Sequence, residues 1–283
     1  MKSEYLFKEF EADEANTSPS VYELNIISGG RRLYGYLLSP DKRIKTPYPA
    51  VIMSHGFPGY TKNNDLELAL MRAGCVVVHM NHRGAWGSEG EYLFTNLKDD
   101  LTAIAKWTHN PAVAEQYCID TGNIFLVGHS MGGQTVLNAA KELPFVRGVA
   151  ALAAYDIGAA LSNNMEKELF RMIETEGQCL NMNSAAQVYE NALNNRLELS
   201  VLNGFEKLAY RNILFVEATL DTVAPAALMM KPLAEKLSAM SDKAEYKTII
   251  SGHSFAGQRM KLTRVVGEWI EKITENGDCS ADP

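Results

Sequence analysis

The stretch that decides the fold is residues 123–133, N-I-F-L-V-G-H-S-M-G-G, in which an apolar, strand-like run enters a tight glycine turn. Residues 134–142, which follow, are compatible with a helix. A serine on such a strand-to-helix turn has its hydroxyl pushed out at the edge of the sheet. Gly128 and Gly132 allow the turn to close and the helix to pack on the strands. The pattern predicts that Ser130 is a nucleophile; the plainer interpretation is a glycine-rich turn with an incidental serine.

The size and charge of the chain set broad bounds on its class. Its 283 residues fit one large α/β domain or two small ones, and 46% hydrophobic with 22% charged residues is ordinary for a globular protein. The net charge is −7, and no run is rich in Lys and Arg. These features argue against a nucleic-acid-binding surface.

Membrane and metal roles find little support in the sequence. No stretch reaches the roughly 18 apolar residues that a membrane span needs, and residues 1–15 carry charges throughout, unlike a signal peptide. The four cysteines are scattered without C-x-x-C spacing, which argues against a zinc site and favours free thiols in a reducing cytoplasm. They are Cys75, which we expect in the core, Cys118, Cys179 and Cys279.

Strand-like runs alternate with helical patterns along most of the chain. The runs are at 21–27, 33–38, 50–54, 76–80, 124–127, 146–152, 213–216 and 246–250, and the helical patterns are at 64–73, 96–109, 134–142, 226–240 and 256–273. This alternation predicts an α/β fold with a mostly parallel central sheet and helices on both faces. The first two strands predict an antiparallel hairpin at one edge. We expect a core of residues 1–157 and 209–275 and a polar tail at 276–283.

Residues 158–208 interrupt the alternation. Helical patterns lie at 166–174 and 185–194, with a weaker one at 197–205, and no strand is predicted. The segment is too long for a simple connection between a helix and a strand. We predict a helical cap over the sheet edge that carries Ser130, which would exclude water and shape an acyl pocket. The plainer interpretation is an additional helical layer.

A serine nucleophile needs a base, and histidine is suited to this role near neutral pH. Of the six histidines, His253 follows the last predicted strand, in the loop S-G-H-S-F, from which it can reach the elbow serine. His129 lies inside the elbow, and its ring is expected to point away from the hydroxyl. The base in turn needs a carboxylate to orient it. Asp221, after the strand at 213–216, is the preferred acid, and Asp156 is the alternative; an N-cap is the plainer role for Asp221.

An oxyanion formed at Ser130 needs two preorganised N–H donors. The amide of Met131, at the start of the following helix, is the first. The second is expected in the loop H-G-F-P-G at residues 55–59. Pro58 has no N–H, so Phe57 is the candidate, with Gly56 supplying the freedom to aim it. The plainer interpretation is an ordinary Gly/Pro turn.

These motifs together resemble the α/β-hydrolase superfamily from about residue 22 to residue 273, apart from the helical insertion. The loop at 55–59 is similar to the family's H-G-x-x-G oxyanion loop, and 128–133 to its G-H-S-x-G-G elbow. The order Ser130, Asp221, His253 is also the family's nucleophile–acid–base order.

Three further stretches carry the resemblance. Residues 81–90 resemble the D-x-R-G-x-G-x-S-x-G stretch of esterases and of the prolyl-oligopeptidase-like branch, with Asn81 in place of the first Asp and with Ala85 and Trp86 ahead of Gly87. Residues 221–225 resemble D-x-x-V-P, with Ala in place of Val. Residues 253–255 are similar to the histidine loop of esterase and dienelactone-hydrolase-like members.

The resemblance implies a serine hydrolase that cleaves carboxylic esters through an acyl-enzyme intermediate. Ser130 would be the nucleophile, His253 the base and Asp221 the acid, with the Phe57 and Met131 amides as oxyanion donors. No metal or organic cofactor is implied, and the expected partner is a small-molecule ester rather than nucleic acid or membrane.

Two alternatives remain beside the esterase. One is an acylaminoacyl-peptidase or a thioesterase-like acyl hydrolase with the same elbow. The family's peptidase members usually carry a separate propeller, for which this chain has no room, so small esters are preferred. The other is a hydrolase-fold protein that binds a ligand without turnover. The presence of Ser130, Asp221 and His253 argues against that role.

Overall fold

The computed structural model describes residues 1–11, 20–60 and 63–278. Among these residues the strands are β1 (Ser20–Ser28), β2 (Arg31–Ser39), β3 (Tyr48–Ser54), β4 (Val76–Met80), β5 (Ile119–His129), β6 (Val146–Leu152), β7 (Asn212–Ala218) and β8 (Ala244–Ile249). The helices are α1 (Asn64–Arg72), α2 (Asn96–His109), α3 (Pro111–Tyr117), α4 (Met131–Ala140), α5 (Ile157–Ser162), α6 (Glu166–Glu176), α7 (Ala185–Asn194), α8 (Arg196–Leu199), α9 (Lys231–Ser238) and α10 (Arg259–Asp278).

The strands form one eight-stranded sheet in the order β1-β2-β4-β3-β5-β6-β7-β8. Strands β3 to β8 are parallel neighbours, whereas β1 and β2 form an antiparallel hairpin whose second strand is also antiparallel to β4. The predicted fold class, a mostly parallel sheet with an antiparallel hairpin at one edge, is therefore confirmed.

Burial explains why these runs form central strands. Every residue of β3 and β4 is buried, as a strand covered by helices on both faces requires. One face of the sheet packs on α2, α4 and α9, through a core that includes Leu101, Val136 and Leu233. The other packs on α1 and α10, through Leu70 and Trp269 among others. The carboxyl ends of the parallel strands are thereby held at one common edge.

Several predicted helix boundaries are wrong, for identifiable local reasons. The weak pattern at 197–205 is not one helix, because α8 ends at Leu199 and only a short 3-10 turn, Phe205–Leu208, follows. Helix α9 begins at Lys231 rather than at residue 226. Helix α10 continues to Asp278, so residues 276–278 of the predicted polar tail are helical, and 279–283 lie outside the described residues.

Two short helices were not predicted, although both carry capping signals. Helix α3 begins with Pro111 at a position that needs no N–H, and the Asn110 side chain accepts the amide of Ala112. Helix α5 is capped in the same way by Asp156. Their hydrophobic patterns span fewer than two helical turns, which is too short for periodicity to reveal.

Between β6 and β7 the described chain forms α5 to α8 and no strand. A polar stripe on α4 fastens this segment to the core. The Gln134 side chain accepts the amide of Ile157 at 2.7 Å, and Asn138 donates to the carbonyl of Leu199 at 3.0 Å. Lys141, one turn further, donates to the carbonyls of residues 201 and 203 at 2.9 and 2.7 Å. The helix that follows Ser130 thus holds both ends of the predicted cap.

Candidate active site

Ser130 lies between β5 and α4 with φ 57° and ψ −125°, a conformation that residues with a side chain rarely adopt. Its backbone is fixed on both sides by the neighbouring strand and loop. Its amide donates to the carbonyl of Leu152 at 2.9 Å, and its carbonyl accepts the amides of Tyr155 at 3.0 Å and Gly133 at 2.8 Å. These bonds hold the elbow in its strained form and present the Ser130 hydroxyl at the sheet edge.

Two glycines of the elbow are required because no side chain would fit at either position. A Cβ at residue 128 would lie 2.1 Å from the carbonyl oxygen of Gly132, and a Cβ at residue 132 would lie 2.1 Å from that of Ser54. Neither contact can be relieved without moving backbone. The tight packing of strand, turn and helix that the sequence predicts is therefore present.

The structure brings the predicted nucleophile, base and acid into contact. His253 Nε2 lies 2.9 Å from Ser130 Oγ, and His253 Nδ1 lies 2.7 Å from Asp221 Oδ2. If Nδ1 donates to the carboxylate, Nε2 accepts the serine O–H, so the three groups form one continuous hydrogen-bonded relay. The His253 side chain is 19% exposed. We call these three residues the open triad.

The Asp221 carboxylate is buried and fully engaged. Besides His253 it accepts the amides of Val223 at 2.8 Å and Ala224 at 2.9 Å, so it also caps the turn that follows β7. Burial alone would raise the pKa of this carboxyl, but the hydrogen bonds from His253 and the two amides hold it below its ordinary value. Asp221 is consequently ionised near neutral pH and able to stabilise a positive charge on His253.

Asp156, the alternative acid, serves the backbone instead. Its carboxylate accepts the amide of Ala159 at 3.2 Å, as the cap of α5, and that of Val201 at 3.1 Å. Burial raises the pKa of this carboxyl to about 6. Asp156 thus ties the two ends of the segment between β6 and β7 together, and Asp221 is the carboxylate that contacts His253.

His129 supports the base from behind, a contact that the sequence did not predict. Its Nε2 lies 2.8 Å from the carbonyl oxygen of His253, so it donates to the backbone of the base rather than to Ser130. Burial and the neighbouring His253 lower the pKa of His129 to about 4, which keeps its ring neutral. In the neutral ring, this bond places the proton on Nε2.

The loop at 55–59 lies directly against the nucleophile. A Cβ at Gly56 would be 2.9 Å from Ser130 Cβ and 3.5 Å from Ser130 Oγ. Gly56 does not adopt a left-handed φ, so the expectation that it supplies backbone freedom is wrong. Glycine is needed there because the peptide that carries the Phe57 amide passes too close to Ser130 for any side chain.

That peptide is held from its carbonyl end. His55 Nδ1 lies 2.7 Å from the Gly56 carbonyl oxygen, and His55 Nε2 accepts the amide of His82 at 3.4 Å. In a trans peptide the N–H points opposite to the C=O. Fixing the Gly56 carbonyl therefore also fixes the direction of the Phe57 N–H. The other candidate donor, Met131, is the first residue of α4, where an amide has no acceptor within the helix and the dipole favours an anion.

A second group of serine, histidine and aspartate lies beneath this loop. Ser54 Oγ is 3.1 Å from His82 Nε2, and His82 Nδ1 is 3.7 Å from Asp100 Oδ2, too long for a hydrogen bond. All three residues are buried. The Asp100 carboxylate also accepts Arg83 Nε at 2.6 Å and the Arg83 amide at 2.9 Å. We call Ser54, His82 and Asp100 the sealed triad.

Hydrogen bonds in the loop at 81–90 explain why Asn81 stands where the D-x-R-G pattern has an Asp. The Asn81 side-chain amide donates to the carbonyls of Tyr34 and Trp86, both at 3.2 Å, which a carboxylate cannot do. Trp86 has a left-handed φ of 48°, and its indole N–H donates to the Pro58 carbonyl at 2.7 Å. The loop is thereby linked to the loop at 55–59.

The segment between β6 and β7 touches the same region. A Cβ at Gly177 would lie 3.1 Å from the ring of Phe57 and 2.5 Å from the Met182 side chain. Tyr60 donates to the carbonyl of Glu176 at 3.3 Å. Tyr92 and Phe94 contribute rings 5.7 Å from that of Phe57, and Met131 belongs to the same apolar cluster. An apolar, aromatic wall therefore adjoins the loop beside Ser130.

The expectations about metals, thiols and membranes can be compared with the residues that the structure describes. Within them no group of three His, Cys, Asp or Glu side chains is arranged to hold a metal ion, and no helix is long and apolar enough to cross a bilayer. Cys75 is buried, as expected, and Cys118 and Cys179 are exposed; all three are free thiols. Cys279 lies outside the described residues.

Comparison with known proteins places the chain among hydrolases. The family model described as serine aminopeptidase, S33 matches residues 45–186, half of the chain. An Escherichia coli protein described only as an uncharacterized 31.7 kDa protein is 30% identical over 128 residues. That alignment spans 43% of this chain and 42% of the relative.

Solved structures share the fold at low sequence identity. Est1E from Butyrivibrio proteoclasticus, also solved with ferulic acid bound, is 17% identical with a TM-score of 0.65, over 89% of this chain and 99% of that one. Brefeldin A esterase, a bacterial homologue of human hormone-sensitive lipase, is 15% identical with a TM-score of 0.68, over 95% and 82%. The acylaminoacyl peptidase of Pyrococcus horikoshii is 15% identical with a TM-score of 0.66, but only 41% of its chain is covered, against 90% of this one.

Proposed function

We infer the activity from one premise: the chain belongs to the α/β-hydrolase family described as serine aminopeptidase, S33. We propose that it is a serine esterase that hydrolyses small-molecule carboxylic esters through an acyl-enzyme intermediate. The observation that carries the proposal is the relay from Ser130 through His253 to Asp221, with distances of 2.9 and 2.7 Å and a partly exposed base. The proposed reaction requires no metal or organic cofactor.

In the first half-reaction Ser130 Oγ attacks the ester carbonyl carbon while its proton passes to His253 Nε2. The imidazolium that forms is stabilised by Asp221, which is ionised in the folded protein. The tetrahedral intermediate collapses when His253 returns the proton to the leaving alcohol, so that the C–O bond breaks and an acyl-serine remains. The geometry suits these proton transfers because Nε2 of His253 faces Ser130 and Nδ1 faces Asp221.

The amides of Phe57 and Met131 are proposed as the donors to the oxyanion. They flank Ser130 from two different elements, the loop after β3 and the first turn of α4. Both belong to backbone that is fixed before substrate binds, Phe57 through the bond of His55 to the Gly56 carbonyl. Donors that need no rearrangement stabilise the developing charge most effectively.

In the second half-reaction a water molecule attacks the acyl-serine. His253 takes one of its protons, a second tetrahedral intermediate forms, and its collapse releases the carboxylic acid and restores the Ser130 hydroxyl. The segment between β6 and β7 is proposed as the cap that excludes other water and forms the acyl wall. The contacts of Phe57 with Gly177 and Tyr92 support an apolar acyl group.

A panel of p-nitrophenyl esters, from acetyl to palmitoyl, tests the activity with Ser130→Ala as the control. We expect turnover by the wild type and a loss of several orders of magnitude in the variant. Labelling by a fluorophosphonate probe should occur in the wild type and be absent from Ser130→Ala. Wild-type rates in that variant, or its full labelling, would show that another residue is the nucleophile.

The same panel separates the alternatives. Matched amide and thioester substrates measure the preference for oxygen esters, and equal cleavage of amide and ester would favour an acylaminoacyl-peptidase-like activity. A hydrolase-fold binding protein would show neither turnover nor labelling. Each alternative therefore predicts a different combination of substrate turnover and probe labelling.

A further inference from the structure

The loop at 81–90 holds a tryptophan in an unusual backbone conformation. Trp86 has φ 48°, in the left-handed region that bulky residues rarely occupy, so surrounding contacts must fix it. Asn81 donates to the Trp86 carbonyl, and backbone bonds from Ala85 to His82 and from Ser88 to Ala85 close the turns on either side. The result is a rigid turn that directs the indole ring toward the loop at 55–59.

The indole meets that loop at two points. Its N–H donates to the Pro58 carbonyl at 2.7 Å. Gly59 lies close to two rings, because a Cβ there would lie 2.7 Å from both Trp86 Nε1 and His55 Nδ1. The Trp86 ring also makes an edge contact with Tyr60, at 6.1 Å between ring centres. Trp86 and His55 thus both limit the position of the 55–59 loop.

The two ring N–H groups act on the two sides of Phe57. His55 holds the carbonyl of Gly56, which is in the same peptide as the Phe57 N–H, and Trp86 holds the carbonyl of Pro58, one residue beyond Phe57, each at 2.7 Å. Because the chain is held at both of these carbonyls, the Phe57 backbone between them has little freedom to turn. We propose that Trp86 is a positioning residue that acts through Pro58 to aim the Phe57 amide at the oxyanion. This rests on the proposed function, in which that amide is a donor.

The proposal predicts where the kinetic effect should fall. A misaimed amide stabilises the oxyanion less, and the oxyanion exists only in and around the transition state. Loss of the Trp86 bond should therefore lower kcat and leave KM nearly unchanged. A residue that merely lined the substrate pocket would change KM, and one needed only for folding would change neither in the folded fraction.

The test uses Trp86→Phe, which removes the indole N–H and keeps an aromatic ring. Trp107→Phe is the matched control, because Trp107 is also half-buried and lies on α2, where its ring contacts Tyr117. Both variants are assayed on the best p-nitrophenyl ester after thermal unfolding confirms that they are folded. We expect kcat to fall about tenfold in Trp86→Phe with KM within twofold, and both values to stay unchanged in Trp107→Phe.

A transition-state analogue supplies a second readout. An arylboronic acid forms a tetrahedral adduct on a reactive serine, and its affinity should fall in Trp86→Phe by about the same factor as kcat/KM. Unchanged kcat and unchanged boronate affinity would overturn the role of Trp86. A rise in KM at constant kcat would overturn it as well, because that result assigns Trp86 to substrate binding.

A third readout does not depend on turnover. Hydrogen exchange of a peptide spanning residues 55–60, followed by mass spectrometry, should be severalfold faster in Trp86→Phe than in the wild type or in Trp107→Phe. Equal exchange in all three proteins would overturn the positioning role. A wild type that neither turns over esters nor reacts with fluorophosphonate would overturn the proposed function, and the exchange result would still decide whether Trp86 holds the loop.

Discussion

The open triad and the sealed triad contain the same three residue types but differ in access and in continuity. In the open triad both contacts are hydrogen-bond distances, 2.9 and 2.7 Å, and the His253 side chain is 19% exposed. In the sealed triad the histidine–aspartate distance is 3.7 Å, and the His82 side chain is 2% exposed. Residue types and approximate proximity therefore do not define a catalytic site.

The backbone beneath the two serines differs as well. Ser54 is the last residue of β3 and lies in regular strand, whereas Ser130 occupies a left-handed turn that presents its hydroxyl. The two aspartates also have different partners, since Asp100 is paired with the Arg83 guanidinium and Asp221 has His253. The comparison favours a structural role for the sealed triad, and it agrees with the chemical role proposed for the open triad.

The largest expected effect separates the two serines. Ser130→Ala should lower kcat by about 10⁵-fold or more with little change in stability, since the nucleophile is lost. Ser54→Ala should leave kcat within about threefold and lower the free energy of unfolding by about 1 kcal/mol, the usual net value of one hydrogen bond. Steady-state kinetics and urea unfolding measure both. A large loss of kcat in folded Ser54→Ala would break the comparison.

The two aspartates should differ next. Asp221→Asn should reduce kcat by about 10⁴-fold because the base loses the partner that orients it and stabilises its charge. Asp100→Asn removes the close carboxylate partner of the mostly buried Arg83 guanidinium, which keeps the Asp99 carboxylate at 3.9 Å, and should lower the free energy of unfolding by about 3 kcal/mol. Chemical unfolding and kcat for the folded protein separate the cases, and the reverse pattern would exchange the two roles.

The next effect, a moderate change in kcat, concerns His129, which bonds to the base of the open triad. His129→Phe removes the donor to the His253 carbonyl and should lower kcat about tenfold, whereas His129→Gln, which keeps an N–H at a similar reach, should recover part of the loss. Identical rates for Phe and Gln variants would show that the bond plays no part.

The last predicted effect is on stability rather than on rate, and it concerns Asp156, a buried carboxylate that bonds to backbone amides. Its folded pKa of about 6 lies above the unfolded value, so the folded state holds the proton more tightly. Its contribution to stability is then greatest below about pH 4 and is lost as pH rises toward 6, by about 3 kcal/mol. Asp156→Asn should flatten this part of the stability profile in urea unfolding. A wild-type profile equal to that of the variant would contradict the shift.

Much of this arrangement could be predicted because the relevant signals are local. The elbow glycines, the separate motifs that carry Ser130, Asp221 and His253, and the buried runs of β4 and β6 are all visible as short patterns. Each feature depends on neighbours within a few residues, and the rule that parallel strands share one carboxyl edge brings the separate loops together. The positions of these side chains in the structure follow that rule.

The supporting contacts could not be predicted because they join residues far apart in sequence. His129 is 124 residues from His253, and Trp86 is 28 from Pro58, and no local pattern specifies either bond. The sealed triad is hidden for the same reason, since Ser54, His82 and Asp100 come from three elements. Side-chain direction within a loop is decided by tertiary packing, which sequence periodicity does not encode.

The polar stripe of α4 has a consequence for how such proteins diversify. The stripe forms hydrogen bonds to the start and the end of the segment between β6 and β7, through the side chains of Gln134, Asn138 and Lys141. Its partners there are mainly backbone groups. Hydrogen bonds to backbone groups do not depend on the side chains of the segment that they hold. Different helical inserts could therefore be held on one scaffold while α4 stays in register.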